Sequence, residues 1–277
     1  MLKTPRNPAS PITSLVVGVI LISGSVRADK LGEATPGGPL EATASRGVTA
    51  RDPSTIAREG DTFWCFYTGR GVPTLHSKDL VTWKRGPRVF DKAPEWIAKE
   101  VPKNDGVYWA PDLMKVGGQY LLYYSVSSFG AMHSSIGVAT NPTLDPKDPA
   151  FKWTDHGPVV QSRQGGDFNT IDPSIYLDDD GKLWLSFGSQ WSGLKLVELD
   201  PKTGKRLKPD QPMTPLAAGQ SIEAPWIYKR KGLYYLFLNP LIAFAVQILL
   251  ALLSAILVLS QKFAVPVDRK RWCDLQS

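Results

Sequence analysis

The sequence predicts an all-β protein that is built as a β-propeller. Three observations support this prediction: a motif that recurs along the chain, apolar and polar residues that alternate with a period of two inside each copy, and many turn-forming residues. The 277 residues include 23 prolines, 24 glycines and 9 tryptophans, which favours short strands joined by frequent turns. The length and the hydrophobic fraction of 43% allow one sizeable core or two small ones.

The recurring motif occurs four times. Each copy begins with an acidic residue or an alanine beside a proline and continues with an apolar strand, a glycine turn and an aromatic strand. The copies are RDPSTIAREGDTFWCFYTG, WAPDLMKVGGQYLLYYSVS, IDPSIYLDDDGKLWLSFGS and EAPWIYKRKGLYYLFLN, with prolines 58, 62 and 52 residues apart. The period-two alternation predicts strands, and the glycine turns predict hairpins.

Further strand candidates lie between the copies, at residues 135–141 and 194–200. A self-similar unit of this length with several short strands is typical of a propeller. The alternative is a β-sandwich in which similar hairpins recur by coincidence.

In a propeller the first strand of each unit lines the central axis, so the motif heads would face one shared pocket. Three heads carry a carboxylate, namely Asp52, Asp172 and Glu223, whereas the remaining head has Ala110. Acids gathered in a concave site push their pKa values apart, so that one stays protonated while another is ionised. Glycoside hydrolysis needs this division of roles.

A series of short strings follows the same order along the chain. As a set they resemble the landmarks of glycoside hydrolase family 43 arabinanases, between about residues 49 and 238. The strings are RDPS, YWAPDL, YYSVSSFG, SSIGVAT, NPTLDP, FNTIDPSIY, LWLSFGSQWSG and IEAPWIY. The resemblance implies a five-bladed propeller, here incomplete at about three and a half blades, that hydrolyses arabinan or xylan-type side chains with inversion.

The resemblance also implies catalytic roles. Asp52 matches the general base that activates water, and Glu223 matches the general acid that protonates the leaving oxygen. Asp172 matches a third acid that orients the general acid and tunes its pKa. An inverting pair stands roughly 6.5–9.5 Å apart, which we expect for Asp52 and Glu223. The implied substrate is arabinan or an arabino-oligosaccharide with α-1,5 linkages, and the SVSSFG and LDP strings favour an endo-acting arabinanase over a xylosidase.

Four further residues match substrate-binding positions of the family. Trp109 and Phe129 match residues that line the sugar-binding groove, where an aromatic face stacks on a furanose ring; packing in the core is the alternative. Asn169 and Ser189 are candidates to hydrogen-bond sugar hydroxyls, with a structural role as the alternative.

No cofactor is predicted with certainty. Residues 178–181 (DDDG) resemble the start of a calcium loop but lack the later ligands and the closing Glu, which favours a hairpin turn. His76, His133 and His156 have no metal-binding spacing. Many arabinanases hold a cation near the axis with a histidine from a late blade. The matching segment is not found here, so the resemblance allows a calcium ion but does not require one.

The two ends of the chain differ in character from the middle. Residues 1–28 predict a signal peptide cleaved after Ala28, and residues 29–46 predict a linker to a partial propeller domain at 47–239. Residues 241–265 form an apolar stretch long enough for a transmembrane helix, followed by a basic tail at 266–277. The predicted location is therefore secreted or periplasmic, with membrane anchoring through the apolar stretch as an option.

The net charge of +6 comes mostly from these ends, so the sequence predicts no nucleic-acid partner. Cys65 and Cys273 are far apart in the sequence, and we expect Cys65 to be a buried, inert thiol rather than half of a disulfide.

The resemblance stops at residues 239–240, in the middle of a predicted blade. We expect that a frameshift, truncation or assembly error replaced the last blades with unrelated apolar sequence, and loss of those blades would impair hydrolysis. A genuine membrane-anchored fragment is the alternative. Two other functions are open at this point: a non-catalytic, membrane-tethered carbohydrate-binding or degenerate protein, and a family 43 enzyme that acts on xylan or other furanosides.

Overall fold

The computed structural model describes residues 48–219 and 221–240, in which strands predominate. The elements, in chain order, are β1 (Ala57–Glu59), β2 (Thr62–Phe66), β3 (Gly69–Arg70), β4 (Thr74–Ser77), β5 (Lys84–Arg85), α1 (Glu95–Glu100), β6 (Val107–Val116), β7 (Gln119–Val126), β8 (Ser134–Asn141), β9 (Thr154–Ser162), β10 (Ser174–Leu177), β11 (Leu183–Phe187), β12 (Leu194–Leu199), β13 (Thr214–Ala217), β14 (Ile222–Arg230) and β15 (Leu233–Pro240). The prediction of an all-β protein is confirmed.

The strands form four sheets that follow one another along the chain, except that β3 of the second sheet lies between β2 and β4 of the first. Their strand orders are β1-β2-β4-β5, β3-β6-β7-β8-β9, β10-β11-β12-β13 and β14-β15. The first two strands of each motif copy pair as a hairpin, as the glycine turns predict. The strands predicted at 135–141 and 194–200 are β8 and β12. The hairpin of each motif copy therefore lies in a different sheet.

Among the described residues, the core consists of two hydrophobic clusters that share strand β7. Leu122 and Tyr124 belong to the cluster with Trp64 of the first sheet, whereas Leu121 and Tyr123 belong to the cluster with residues of the third sheet. Alternate residues of a strand point to opposite faces of the sheet, and the side chains of β7 are buried on both faces. The second sheet is therefore packed between the first and the third.

The short helix α1 was not predicted from the sequence. Its six residues are too few to show a 3.6-residue period. Ile97 of the helix is buried in the first core cluster, and the indole Nε1 of Trp96 donates to Asp155 Oδ2 at 2.9 Å. The hydroxyl of Tyr124 donates to the other oxygen of Asp155. These contacts attach the connection between the first and second sheets to strand β9.

The acidic run at residues 178–181 is a hairpin turn, as predicted. The amide of Gly181 donates to the carbonyl of Asp178 at 2.9 Å and closes the link between β10 and β11. The Asp178 carboxylate also binds Lys229 Nζ at 2.6 Å and the Tyr234 hydroxyl at 2.6 Å. This turn therefore holds the hairpin β14–β15 against the third sheet.

Several predictions fall outside the described residues. These are the signal peptide at 1–28, the linker at 29–46, the apolar stretch at 241–265 and the basic tail at 266–277. In the part of the chain that the structure describes, no helix is long and apolar enough to cross a membrane.

The prediction for Cys65 is confirmed, because it is a buried free thiol in β2. Cys273 lies outside the described part of the chain.

Candidate active site

The four motif heads share an unusual backbone conformation. The residue before each proline has a positive φ: +46° at Asp52, +38° at Ala110, +57° at Asp172 and +52° at Ala224. Residues other than glycine rarely adopt this region, and clusters of such strained residues are typical of functional sites. Asp52 and Asp172 occupy equivalent positions of this turn, whereas Glu223 precedes the strained residue of its copy by one position.

Asp52 is the most open of the three acids. Its side chain is 44% exposed, which leaves it accessible to water. The hydroxyl of Thr68 donates to Asp52 Oδ2 at 2.7 Å, and Arg51 Nε lies 3.5 Å from the same oxygen. These contacts hold the carboxylate facing solvent in a fixed orientation.

Asp172 is held by the sheets on either side of its own. Its amide donates to Ser125 Oγ at 3.0 Å, and its Oδ2 accepts from the amide of Ala224 at 3.3 Å. Burial, and then the negative charges of Glu223 and Asp52, raise the pKa of Asp172 to about 8. An ordinary aspartate titrates near 4 and is ionised at neutral pH. With its pKa raised to about 8, Asp172 instead favours the protonated form at neutral pH.

Glu223 is partly buried beside strand β15 and the loop after β11. Ser189 Oγ donates to its Oε2 at 3.4 Å, and Asn239 Nδ2 donates to its Oε1 at 3.2 Å. Burial and the charge of Asp52 raise the pKa of Glu223, while the hydrogen bonds from Ser189 and Asn239 lower it in part. The charges of the three acids thus act on one another, so the fold gathers them at one site, as the repeat predicts.

The four predicted sugar-binding residues differ in their surroundings. Trp109 is partly buried in β6 opposite Ser125, whereas Phe129 is 98% exposed. Ser189 is buried and contacts Glu223. Asn169 is also buried, and its Oδ1 accepts from Ser134 Oγ at 2.8 Å.

Sequence reasoning missed the polar residues that hold the acids. Thr68, Ser125 and Asn239 each hydrogen-bond a motif head, either at the acid itself or at its amide. All three lie at or just beyond the second strand of a motif copy. Their shared place at the end of the hairpin is the signal that would have found them, although their residue types differ.

A calcium ion near the axis would be held by oxygen ligands, and the structure describes residues 48–219 and 221–240. No group of three or more His, Cys, Asp or Glu side chains there could hold a metal ion.

Known proteins resemble this chain over the same region. The sequence model of "Glycosyl hydrolases family 43" matches residues 47–240. An extracellular exo-α-(1→5)-L-arabinofuranosidase of Cellvibrio japonicus is 41% identical over 71% of this chain and 60% of its own length. An extracellular endo-α-(1→5)-L-arabinanase of Bacillus subtilis is 37% identical over 68% of this chain and 58% of its own length.

A solved structure of Cellvibrio cellulosa α-L-arabinanase complexed with arabinohexaose superposes with a TM-score of 0.64. It is 38% identical, over 70% of this chain and 65% of that one. This chain thus spans about 60% of the length of the two curated relatives. The match of the family model over most of the chain, together with these identities, shows that the protein belongs to glycosyl hydrolases family 43.

Proposed function

We propose that the protein is an inverting glycosidase that hydrolyses α-1,5-linked L-arabinofuranosyl bonds in arabinan or arabino-oligosaccharides. The observation that carries this proposal is the cluster of Asp52, Asp172 and Glu223, whose charges act on one another at the strained motif heads. The names of the relatives support the linkage, and the arabinohexaose complex supports the class of substrate.

In the proposed reaction Asp52 is the general base and Glu223 is the general acid. A water oxygen attacks the anomeric carbon while Asp52 takes one of the water protons. The bond from the anomeric carbon to the leaving oxygen breaks as Glu223 transfers its proton to that oxygen. Solvent access to Asp52 and the raised pKa of Glu223 both suit these roles.

Asp172 serves as the orienting acid in this scheme. Its Oδ2 accepts from the amide of Ala224, which directly follows Glu223, so Asp172 restrains the backbone of the general acid. The charge of Glu223 raises the pKa of Asp172, so the two carboxyls titrate as a coupled pair. When a bound sugar covers Glu223, the charged form of Glu223 becomes less favourable, so the proton moves from Asp172 to Glu223. The negative charge of the ionised Asp172 then keeps the proton on Glu223.

The fold proposed for this function is a five-bladed propeller. The described residues supply three sheets of at least four strands and one hairpin, which we assign as three blades and the inner half of a fourth. Trp109 and Phe129 are proposed to stack on sugar rings, and Asn169 and Ser189 to contact sugar hydroxyls. Support for Ser189 comes from its contact with Glu223, and support for Phe129 from its full exposure.

We also propose that the protein is secreted. The two curated relatives are both called extracellular, and residues 1–28 have the pattern of a signal peptide. Attachment to a membrane through residues 241–265 stays a prediction.

The test is product analysis with the full-length protein on linear arabinan and, in parallel, on xylan. We expect arabino-oligosaccharides or arabinose from arabinan, with the first product detected by NMR as the inverted anomer. If the protein hydrolyses xylan but not arabinan, the proposed substrate is wrong. Retention of the anomeric configuration would overturn the inverting mechanism. Binding of arabino-oligosaccharides without turnover would instead support the carbohydrate-binding alternative.

A further inference from the structure

One carboxylate at the motif heads is not used by the proposed reaction. Asp112 follows the proline of the second motif copy, and only 6% of its surface is exposed. Its Oδ1 accepts from the amide of Thr55 at 3.0 Å, and its Oδ2 accepts from the amide of Ile175 at 2.9 Å. Thr55 precedes the first sheet and Ile175 lies in the third, so this carboxylate bridges the two neighbours of its own sheet.

The two donors stand at matching places in their motif copies. Thr55 lies three residues after Asp52, and Ile175 lies three residues after Asp172. A single side chain therefore holds the backbone segments that carry two of the three acids. The second motif head is also linked to the first through Thr68. Thr68 Oγ1 accepts from the amide of Ala110 at 2.8 Å and donates to Asp52.

Burying a carboxylate at this position is energetically unfavourable unless hydrogen bonds compensate for the loss of water. Burial raises the pKa of Asp112, and hydrogen bonds from the amide of Ile175, from Thr55 and from the amide of Leu113 act against that effect by lowering it. The first and third copies have serines at the equivalent position, Ser54 and Ser174. The carboxylate thus occurs in the copy whose own head lacks an acid, where both of its oxygens accept from neighbouring sheets.

We propose that Asp112 is a positioning residue that sets the separation of Asp52 and Asp172 by bridging the backbone segments that follow them. This inference rests on the proposed function. An asparagine at this position would have one acceptor oxygen, and its NH₂ group would face the second backbone N–H. A buried N–H without an acceptor is unfavourable, so one of the two segments would move.

The test compares Asp112→Asn with Asp155→Asn in the full-length protein. Asp155 is a matched control because its carboxylate also accepts several hydrogen bonds, from Trp96, Tyr124 and the amide of Gly157, but it lies on strand β9 at the edge of the second sheet. We expect both variants to lower the melting temperature. Only Asp112→Asn should lower kcat on an arabino-oligosaccharide, by about 10²-fold, with little change in KM.

A second measurement does not depend on turnover. We expect the carboxyl carbon of Asp172, followed by NMR across a pH titration, to change its midpoint in Asp112→Asn and to keep it in Asp155→Asn. Equal kcat in the two variants together with an unchanged Asp172 midpoint would overturn the positioning role. A wild-type protein without hydrolytic activity would overturn the proposed function, while the titration would still decide the role of Asp112.

If Asp112→Asn does not fold, Asp112→Ser takes its place, because serine occurs at the equivalent position of the first and third copies. We expect the same change in the Asp172 midpoint. An unchanged midpoint in this folded variant would again overturn the positioning role.

Discussion

Two aspartates at opposite ends of strand β10 have pKa values that are shifted in opposite directions. At the motif head, burial and the charges of Glu223 and Asp52 raise the pKa of Asp172 to about 8. At the hairpin turn, burial also acts upward on Asp178, but hydrogen bonds from Lys229 and Tyr234 outweigh it and lower the pKa to about 2. The same residue type thus favours the protonated form where its neighbours are acids and the ionised form where its neighbour is a cation.

The largest effect expected from this comparison is on activity. Replacement of Glu223 by Gln or of Asp52 by Asn should lower kcat on arabino-oligosaccharides about 10²- to 10⁴-fold, the contribution of a general acid or base. Asp178→Asn is the matched control and should keep wild-type kcat at a temperature where it is folded, because Asp178 binds Lys229 and Tyr234 instead of the other acids. The measurement is the initial rate of hydrolysis. Undiminished hydrolysis by Glu223→Gln or by Asp52→Asn would contradict the proposed roles.

A smaller effect on activity is expected when Asp52 is kept but loses the hydrogen bond from Thr68. Thr68→Val removes the hydroxyl that donates to Asp52 at 2.7 Å while it keeps a similar side-chain volume. A hydrogen bond to a charged group contributes about 1.5–3 kcal/mol, so we expect kcat to fall about tenfold or somewhat more. Thr62→Val, at an exposed threonine hydroxyl on β2 that contacts Asp61, is the control and should be neutral. Equal rates for both variants would show that Asp52 needs no support from Thr68.

At the turn, the expected effect is on stability rather than on rate. Asp178→Asn weakens the contact with Lys229 and the hydrogen bond from Tyr234 that hold hairpin β14–β15. We expect the melting temperature to fall by roughly 2–4 °C, as measured by circular dichroism at neutral pH. Asp180→Asn, on an exposed residue of the same turn, is the control. A melting temperature that stays constant in Asp178→Asn would contradict the anchoring role.

The last effect concerns the dependence of stability on pH rather than the stability at one pH. The pKa of Asp172 is about 8 in the folded protein against an ordinary value of 3.8, so its stabilising contribution is full below about pH 4 and is lost as pH rises toward 8. The contribution of Asp178 is present above about pH 4 and is lost as pH falls toward 2. Denaturant titrations of Asp172→Asn should therefore show a shallower loss of stability between pH 4 and pH 8 than those of the wild type. Parallel curves would refute the raised pKa.

Much of the fold follows from local patterns. The alternation of residues predicted the motif hairpins, β8 and β12, because a strand with a buried face repeats every two residues. The helix α1 was missed because six residues between prolines and loops show no helical period. The grouping of Asp52, Asp172 and Glu223 was also predicted, since a repeat that places acids at its heads brings them together.

The supporting contacts were not predictable in the same way. Thr68, Ser125 and Asp112 bind groups that are distant in the sequence, such as the amides of Ala110, Asp172 and Ile175. Their partners depend on which sheet packs beside which, and no local period records that order.

By itself, the sequence predicted the motif hairpins, two further strands and the candidate acids at the motif heads, because alternation and glycine placement are properties of neighbouring residues. Only the tertiary structure decided the ionisation of the acids. Asp172 and Asp178 lie six residues apart on one motif copy, and nothing local distinguishes their pKa values. Neighbouring sheets bring carboxyls to the first and Lys229 to the second. Charges act through space, so the arrangement of the sheets, rather than the order of residues, determines the proton on each acid.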